Sequence, residues 1–225
     1  MSRIISVIAR RQRVRHALPP LRDRIRPGVE VLFVGINPGV RSALTGHHFA
    51  GFSNRFWKLQ YESRLVPEPI TFKDDDRLPE WGFGITNVIA RATPGIDTLL
   101  PREYVGGRRR LLAKIRRFHP RVVALVGVTV FRAMFPAHRG PVATGLQAQT
   151  LGRAAVFVLP NTSGRNANFS YAEMLAAFRS LRRWCRAPLH RAPPGTLSER
   201  GERGPSAPRR RPSAAGGWLS RSRAR

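Results

Sequence analysis

The run Val31-Leu-Phe-Val-Gly35-Ile-Asn-Pro-Gly39 constrains this chain more than any other stretch. Its unbroken apolar start suits a strand buried on both faces, as parallel sheets in α/β proteins require. The run breaks at Gly35 into a turn whose one polar side chain, Asn37, is held by Gly35, Pro38 and Gly39. Ligands bind outside the carboxyl ends of such strands, so this geometry aims Asn37 into a cleft, placed for chemistry or recognition. A strand ending at a glycine turn also occurs as plain architecture, and the pentapeptide alone does not separate the two.

The rest of the chain alternates in the α/β manner. Strands are predicted at Val29–Val34, Gly84–Ile89, Arg121–Gly127 and Ala154–Leu159. Between and after them come helices: one begun by Ser53 as N-cap, then Gly107–Phe118 closed by His119-Pro120, Val128–Phe135, and Ser170–Trp184. The pattern implies a mostly parallel sheet covered on both faces by helices, with no internal repeat.

With 225 residues, 42% of them hydrophobic, the chain suits one well-buried core. The domain is expected over residues 21–185, after a basic, flexible extension at 1–20 and before a disordered Arg/Pro-rich tail at 186–225. Met1–Ala17 resembles a targeting peptide, and a basic arm or an upstream start explains it as well. A single cysteine, Cys185, rules out a disulfide framework and any four-cysteine zinc or iron–sulfur site. No apolar run reaches membrane-spanning length, so no membrane role is expected. The expected setting is cytoplasmic, nucleoid-associated if the source is bacterial, and the expected state is a monomer.

The formal charge of +27 divides into +7 for residues 1–28, +8 for residues 186–225 and +12 between them. The predicted domain is thus basic by itself, which favours nucleic acid as partner. Codon usage offers a bland alternative, because only Lys58, Lys73 and Lys114 are lysines among the forty basic residues. The tail reads equally well as a solvated appendage or as a DNA-holding arm.

Three strand ends carry asparagines that can converge on one crevice: Asn37, Asn87 and Asn161. An amide presents donors and an acceptor, so it can read a nucleobase edge or position a water, but it is no strong base at neutral pH. Chemistry in such a cleft needs a leaving group that departs largely on its own and a positioned water.

Gly35-Ile-Asn-Pro-Gly39, Thr45-Gly-His-His-Phe49, Asn54-Arg-Phe-Trp57, Gly84-Ile-Thr-Asn87, Thr93-Pro-Gly95, Gly106-Gly-Arg108 and Leu159-Pro-Asn-Thr-Ser-Gly-Arg165 together resemble the mismatch-specific uracil/thymine-DNA glycosylase family, across roughly residues 21–184. The resemblance implies a three-layer αβα sandwich, the fold of uracil-DNA glycosylases. It implies an enzyme that flips uracil or a related base out of double-stranded DNA and cleaves its N-glycosidic bond without metal or redox cofactor.

By the same resemblance, Asn37 is the catalytic asparagine that holds the attacking water, and Ile36 lines the base pocket. Phe49 is the aromatic that stacks on the flipped base. Asn87 stands near the base edge, His48 has a recognition role, and Ser42 stands where thymine-excising relatives tend to carry Ala. The segment Asn161, Ser163, Gly164, Arg165 and Asn166 matches the loop that enters the helix after flipping, with Gly164 allowing close approach to DNA and Ser163 bonding a phosphate. Arg165 takes the wedge position, where many bacterial relatives carry a Leu-type residue. The adjacent His47 and His48 lack a visible carboxylate orienter, and the other histidines are scattered, so no metal site is expected. Phe56, Trp57 and Trp81 are expected in the core. Besides a glycosylase acting at G:U mismatches, a catalytically silent DNA-damage binder and a nucleotide-binding α/β module remain as alternatives.

Overall fold

A computed structural model describes residues 18–187. Of the two basic ends, residues 1–17 and 188–225 lie outside the described residues, and with them nearly all of the expected extension and tail. The described elements run β1 (Val31–Gly35), α1 (Val40–Thr45), α2 (Phe56–Glu62), a 3₁₀ stretch (Phe72–Trp81), β2 (Phe83–Asn87), α3 (Pro101–Phe118), β3 (Val122–Val126), α4 (Val128–Met134), β4 (Gly145–Leu151), β5 (Ala154–Leu159) and α5 (Tyr171–Arg186).

The sheet order is β2-β1-β3-β5-β4, with β4 alone antiparallel to its neighbour. Alternation along the strands divides the core in two. Val31 and Phe33 of β1 face one cluster with Phe56 and Leu59 of α2 and Phe178 of α5. Leu32 and Val34 face the other with Leu111 and Ile115 of α3 and Phe131 of α4. Both faces of β1 are covered, which is why its sequence shows no polar alternation. The three-layer αβα sandwich expected from the sequence is the observed architecture. Phe56 and Trp57 are core, and Trp81 packs against that core, as expected. Among the described residues no helix is long and apolar enough to cross a membrane.

Several boundaries differ from the sequence reading. The helix expected to be capped by Ser53 begins at Phe56, and the side chain that serves its first turn is Asn54, whose Oδ1 accepts from the Phe56 N–H at 3.0 Å. Helix α3 starts six residues earlier than expected, with Pro101 in its first turn, where the missing N–H costs nothing. Three of these elements had no counterpart in the sequence reading: α1 is too short to show a period, the 3₁₀ stretch carries three successive aspartates and a proline, and β4 is an edge strand interrupted by a bulge, with little apolar content.

Register brings the strand ends together. Gly35 pairs with Asn87 and Val126 with Leu159, so the turns after β1, β2, β3 and β5 meet at one end of the sheet.

Candidate functional site

A cleft of about 650 Å³ opens at that end, beside β1, which has β2 on one side and β3 on the other. Ile36, Asn37, Ser42, His48, Phe49, Asn87, Asn161, Ser163, Arg165 and Asn166 all line it, and Gly164 lies within the same rim loop. Every residue singled out from the sequence is therefore gathered at one place.

Asn37 is held by its amide nitrogen. Its Nδ2 donates to Thr93 Oγ1 at 2.7 Å and to the carbonyls of Pro38 and Arg91 at 3.1 and 3.3 Å. Carbonyls only accept, so the amide orientation is fixed, and Oδ1 has no hydrogen bond among the described residues. The Thr93 hydroxyl accepts from Asn37 and donates to the Gly95 carbonyl at 2.6 Å. Thr93 is buried, although its loop runs along the cleft. The result is one free acceptor, rigidly presented.

Asn87 is held differently. Its Nδ2 faces His48 Nδ1 at 3.3 Å, and His48 Nε2 faces the Arg22 carbonyl at 2.9 Å. Because that carbonyl can only accept, Nε2 carries the ring proton and Nδ1 offers a lone pair to the Asn87 amide. Burial pushes the His48 pKa below the ordinary histidine value, against the upward pull of the Arg22 carbonyl bond and the Asp75 and Asp23 carboxylates, so the ring is neutral at pH 7. Asn87 Oδ1 lies over Gly35, where a Cβ would stand 2.5 Å from it, and Phe49 closes the same space at 3.3 Å. A glycine is needed there to leave a slot.

His48 thus lines the cleft, but both of its ring nitrogens are engaged within the protein. Through Nδ1 it holds the Asn87 amide. The expectation that the histidine pair lacks a carboxylate orienter is corrected by Asp75, which is fully buried. Asp75 Oδ1 meets His47 Nδ1 and Arg24 Nε, each at 3.0 Å, and Oδ2 accepts the His48 backbone N–H at 2.8 Å. From the other side, Trp57 Nε1 donates to the His48 carbonyl at 3.1 Å.

Phe49 has one face stacked on Phe56, with centroids 4.2 Å apart and planes at 14°. That packing fixes the ring as a wall of the slot. Ser42 is buried, and its Oγ accepts the Ala50 N–H at 3.1 Å, tying α1 to the segment that carries Phe49. The Ile36 carbonyl accepts from the Ile89 N–H at 2.9 Å and links the turns after β1 and β2.

On the opposite rim, Asn161 Oδ1 accepts the Ser163 N–H at 3.0 Å and the Asn161 carbonyl accepts from Asn166 Nδ2 at 2.7 Å, folding the loop back on itself. The close approach at Gly164 is made to the chain itself: a Cβ there would collide with Ser53. The glycine expected to admit DNA serves first to lock this loop against the segment before α2. Arg165 is exposed, and among the described residues its guanidinium has no ion-pair or hydrogen-bond partner.

Sequence reasoning missed three participants. Thr93 stood in a quoted motif without a role, Asp75 sat in the Asp74–Asp76 run where only depth distinguishes it, and Asp97 is an exposed carboxylate at the cleft's edge. Among the described residues no group of three His, Cys, Asp or Glu is arranged to hold a metal ion.

A family model described as the uracil DNA glycosylase superfamily matches residues 23–182. Among solved structures, the chain is similar to the solution NMR structure of a candidate uracil DNA glycosylase from Methanosarcina acetivorans. The two are 19% identical, the match covers 73% of this chain and 98% of that one, and the TM-score is 0.49.

Proposed function

The chain belongs to the uracil DNA glycosylase superfamily, and on that footing we propose that it is a monofunctional glycosylase of the mismatch-specific type, flipping uracil from duplex DNA and hydrolysing its N-glycosidic bond. The observation that carries this reading is the fixed Asn37 amide, whose Oδ1 is left as a free acceptor at the cleft. An acceptor so placed holds a water by one of its protons and aims its lone pair at the anomeric carbon. The bond from sugar to base breaks with its electron pair going to uracil. The water oxygen bonds to the anomeric carbon, and its surplus proton passes to solvent.

The slot supports uracil as the base. With one amide proton given to His48, Asn87 keeps Oδ1 and a second amide proton for a ligand. That pairs with the N–H and C=O of uracil's imide edge, whereas cytosine presents the opposite pattern there. Phe49 supplies a stacking wall, worth on the order of 1–3 kcal/mol per base. Arg165 at the rim suits the space that the flipped base vacates and can bond an orphaned guanine, favouring G·U over A·U. A mismatched base also costs less to extrude than a paired one.

The test is direct. Purified protein is incubated with an end-labelled G·U duplex, treated with alkali, and scored for scission at the uracil. Scission there, faster on G·U than on A·U under single-turnover conditions, is the expected result. Binding of the G·U duplex without scission points to a silent damage binder and defeats the enzymatic reading.

A further inference from the structure

We propose that Phe52 is a second insertion element, an aromatic ring that stacks on bases exposed when a nucleotide leaves the duplex. The inference rests on the glycosylase reading and deepens it. Phe52 is 90% exposed, the most exposed large apolar side chain among the described residues. Single exposed apolar residues are common and mean little by themselves. What sets Phe52 apart is its mounting.

It occupies the second position of a turn closed by the Asn54 N–H donating to the Gly51 carbonyl at 3.0 Å. Gly51 and Asn54, at the two ends of that turn, both line the cleft, so its tip stands on the cleft's rim. The turn is fastened on three sides. Asn54 Oδ1 accepts from the Phe56 N–H and from Thr162 Oγ1 at 2.9 Å, the Arg55 N–H donates to the Thr162 carbonyl at 2.9 Å, and Ser53 fills the space beside Gly164. Phe52 and Arg165 are each one residue from that Ser53–Gly164 contact, on two interlocked loops. The ring itself is braced: the Arg41 guanidinium lies 3.5 Å from its centroid, and Arg41 Nε is anchored on the Ala50 carbonyl at 2.7 Å. One ring face is thereby supported and the other is presented outward.

A rigid, solvent-facing aromatic beside a base-sized slot matches duplex DNA whose stack has been opened. Proteins that unstack DNA insert apolar side chains into the gap, and an aromatic face accepts any base. Arg41 against the ring and Arg165 on the interlocked loop supply positive charge suited to the surrounding phosphates. A ring already held in place loses little freedom on stacking.

The experiment uses the full chain and a duplex carrying a tetrahydrofuran abasic-site analogue next to 2-aminopurine, whose fluorescence reports stacking. Binding is followed in parallel by anisotropy. Phe52→Ala is expected to weaken binding about tenfold and abolish most of the fluorescence change, while Phe52→Tyr keeps both within about twofold of the parent. On uracil substrates, Phe52→Ala should lower excision from duplex relative to single-stranded DNA by a similar factor. An alanine variant that binds as tightly and gives the same 2-aminopurine signal overturns the proposal, as do equal losses in the alanine and tyrosine variants. Absence of uracil excision by the parent protein is a failure of the glycosylase reading instead, because the abasic duplex tests Phe52 through binding alone.

Discussion

Asn37 and Asn87 stand at the ends of neighbouring parallel strands, yet they are held by opposite kinds of partner. The Asn37 amide rests on a threonine hydroxyl and two backbone carbonyls, none of which titrates near neutral pH. The Asn87 amide rests on one nitrogen of a buried imidazole. Each arrangement fixes which way an ambiguous side chain points, but only the first does so unconditionally. The residue assigned to the water is thus insulated from pH, and the residue assigned to the base is conditional on His48 staying neutral.

The largest effect should come from the unconditional side. Asn37→Ala is expected to slow single-turnover excision by about three orders of magnitude, in the range seen when a preorganised polar group is removed from a reacting centre. Duplex binding should persist, because Phe49 and the loop around Arg165 are untouched. Thr93→Val keeps the shape but removes the hydroxyl that Asn37 grips, and a loss of about tenfold to a hundredfold is expected. If the hydroxyl acts through Asn37, the double variant should be no slower than Asn37→Ala alone. Additive losses would give Thr93 an independent role.

On the conditional side, the expected signature is pH dependence. The His48 pKa is depressed in the folded protein, whereas the unfolded chain takes up that proton near the ordinary histidine value of 6.5. As pH falls below this value the unfolded state binds a proton that the folded state refuses, so stability declines, at up to about 1.4 kcal/mol per pH unit, until the lower folded pKa is reached. The contribution is fully present above the unfolded value. Urea unfolding at pH 7.5, 6.5 and 5.5 measures the slope, and His48→Gln, with nothing to titrate there, should flatten it. Protonation would also turn Nδ1 from acceptor to donor and reverse Asn87, so excision should fall over the acidic part of the range in the parent. A parent and variant with the same slope would remove His48 as its source.

How much of this was legible in the sequence depends on depth and length. The turn after β1 was readable because an apolar run stops at a glycine, and the cleft because three asparagines follow three strands. Edge strand β4 was not, since one of its sides has no partner and its glutamines and threonine show no hydrophobic face. Asp75 was hidden among three consecutive aspartates in a 3₁₀ stretch, where no period says which one turns inward. His48 was half visible: its place at the cleft was anticipated, but its hold on the Asn87 amide depends on a contact with the Arg22 carbonyl, 26 residues away.

Ser42 carries the smallest expected effect, and it bears on both sides of the comparison. Ser42 lines the cleft, where the proposed reading sets it against a C5-methyl, yet its hydroxyl also holds the Ala50 N–H and so steadies the segment bearing Phe49. In the parent, thymine opposite guanine should be excised more slowly than uracil by roughly tenfold to a few hundredfold, since one methyl in a pocket is worth about 1–3 kcal/mol. Ser42→Ala makes room for that methyl but leaves the Ala50 N–H without its acceptor, at a cost of about 1–3 kcal/mol if it stays dry. The G·T rate should therefore rise relative to G·U by up to about tenfold, while the G·U rate falls a few-fold. Single-turnover rates on the two duplexes separate the roles. A lower rate on both with an unchanged ratio would assign Ser42 to holding the Phe49 segment alone, and a changed ratio with an undiminished G·U rate would make it a selectivity residue that positions nothing.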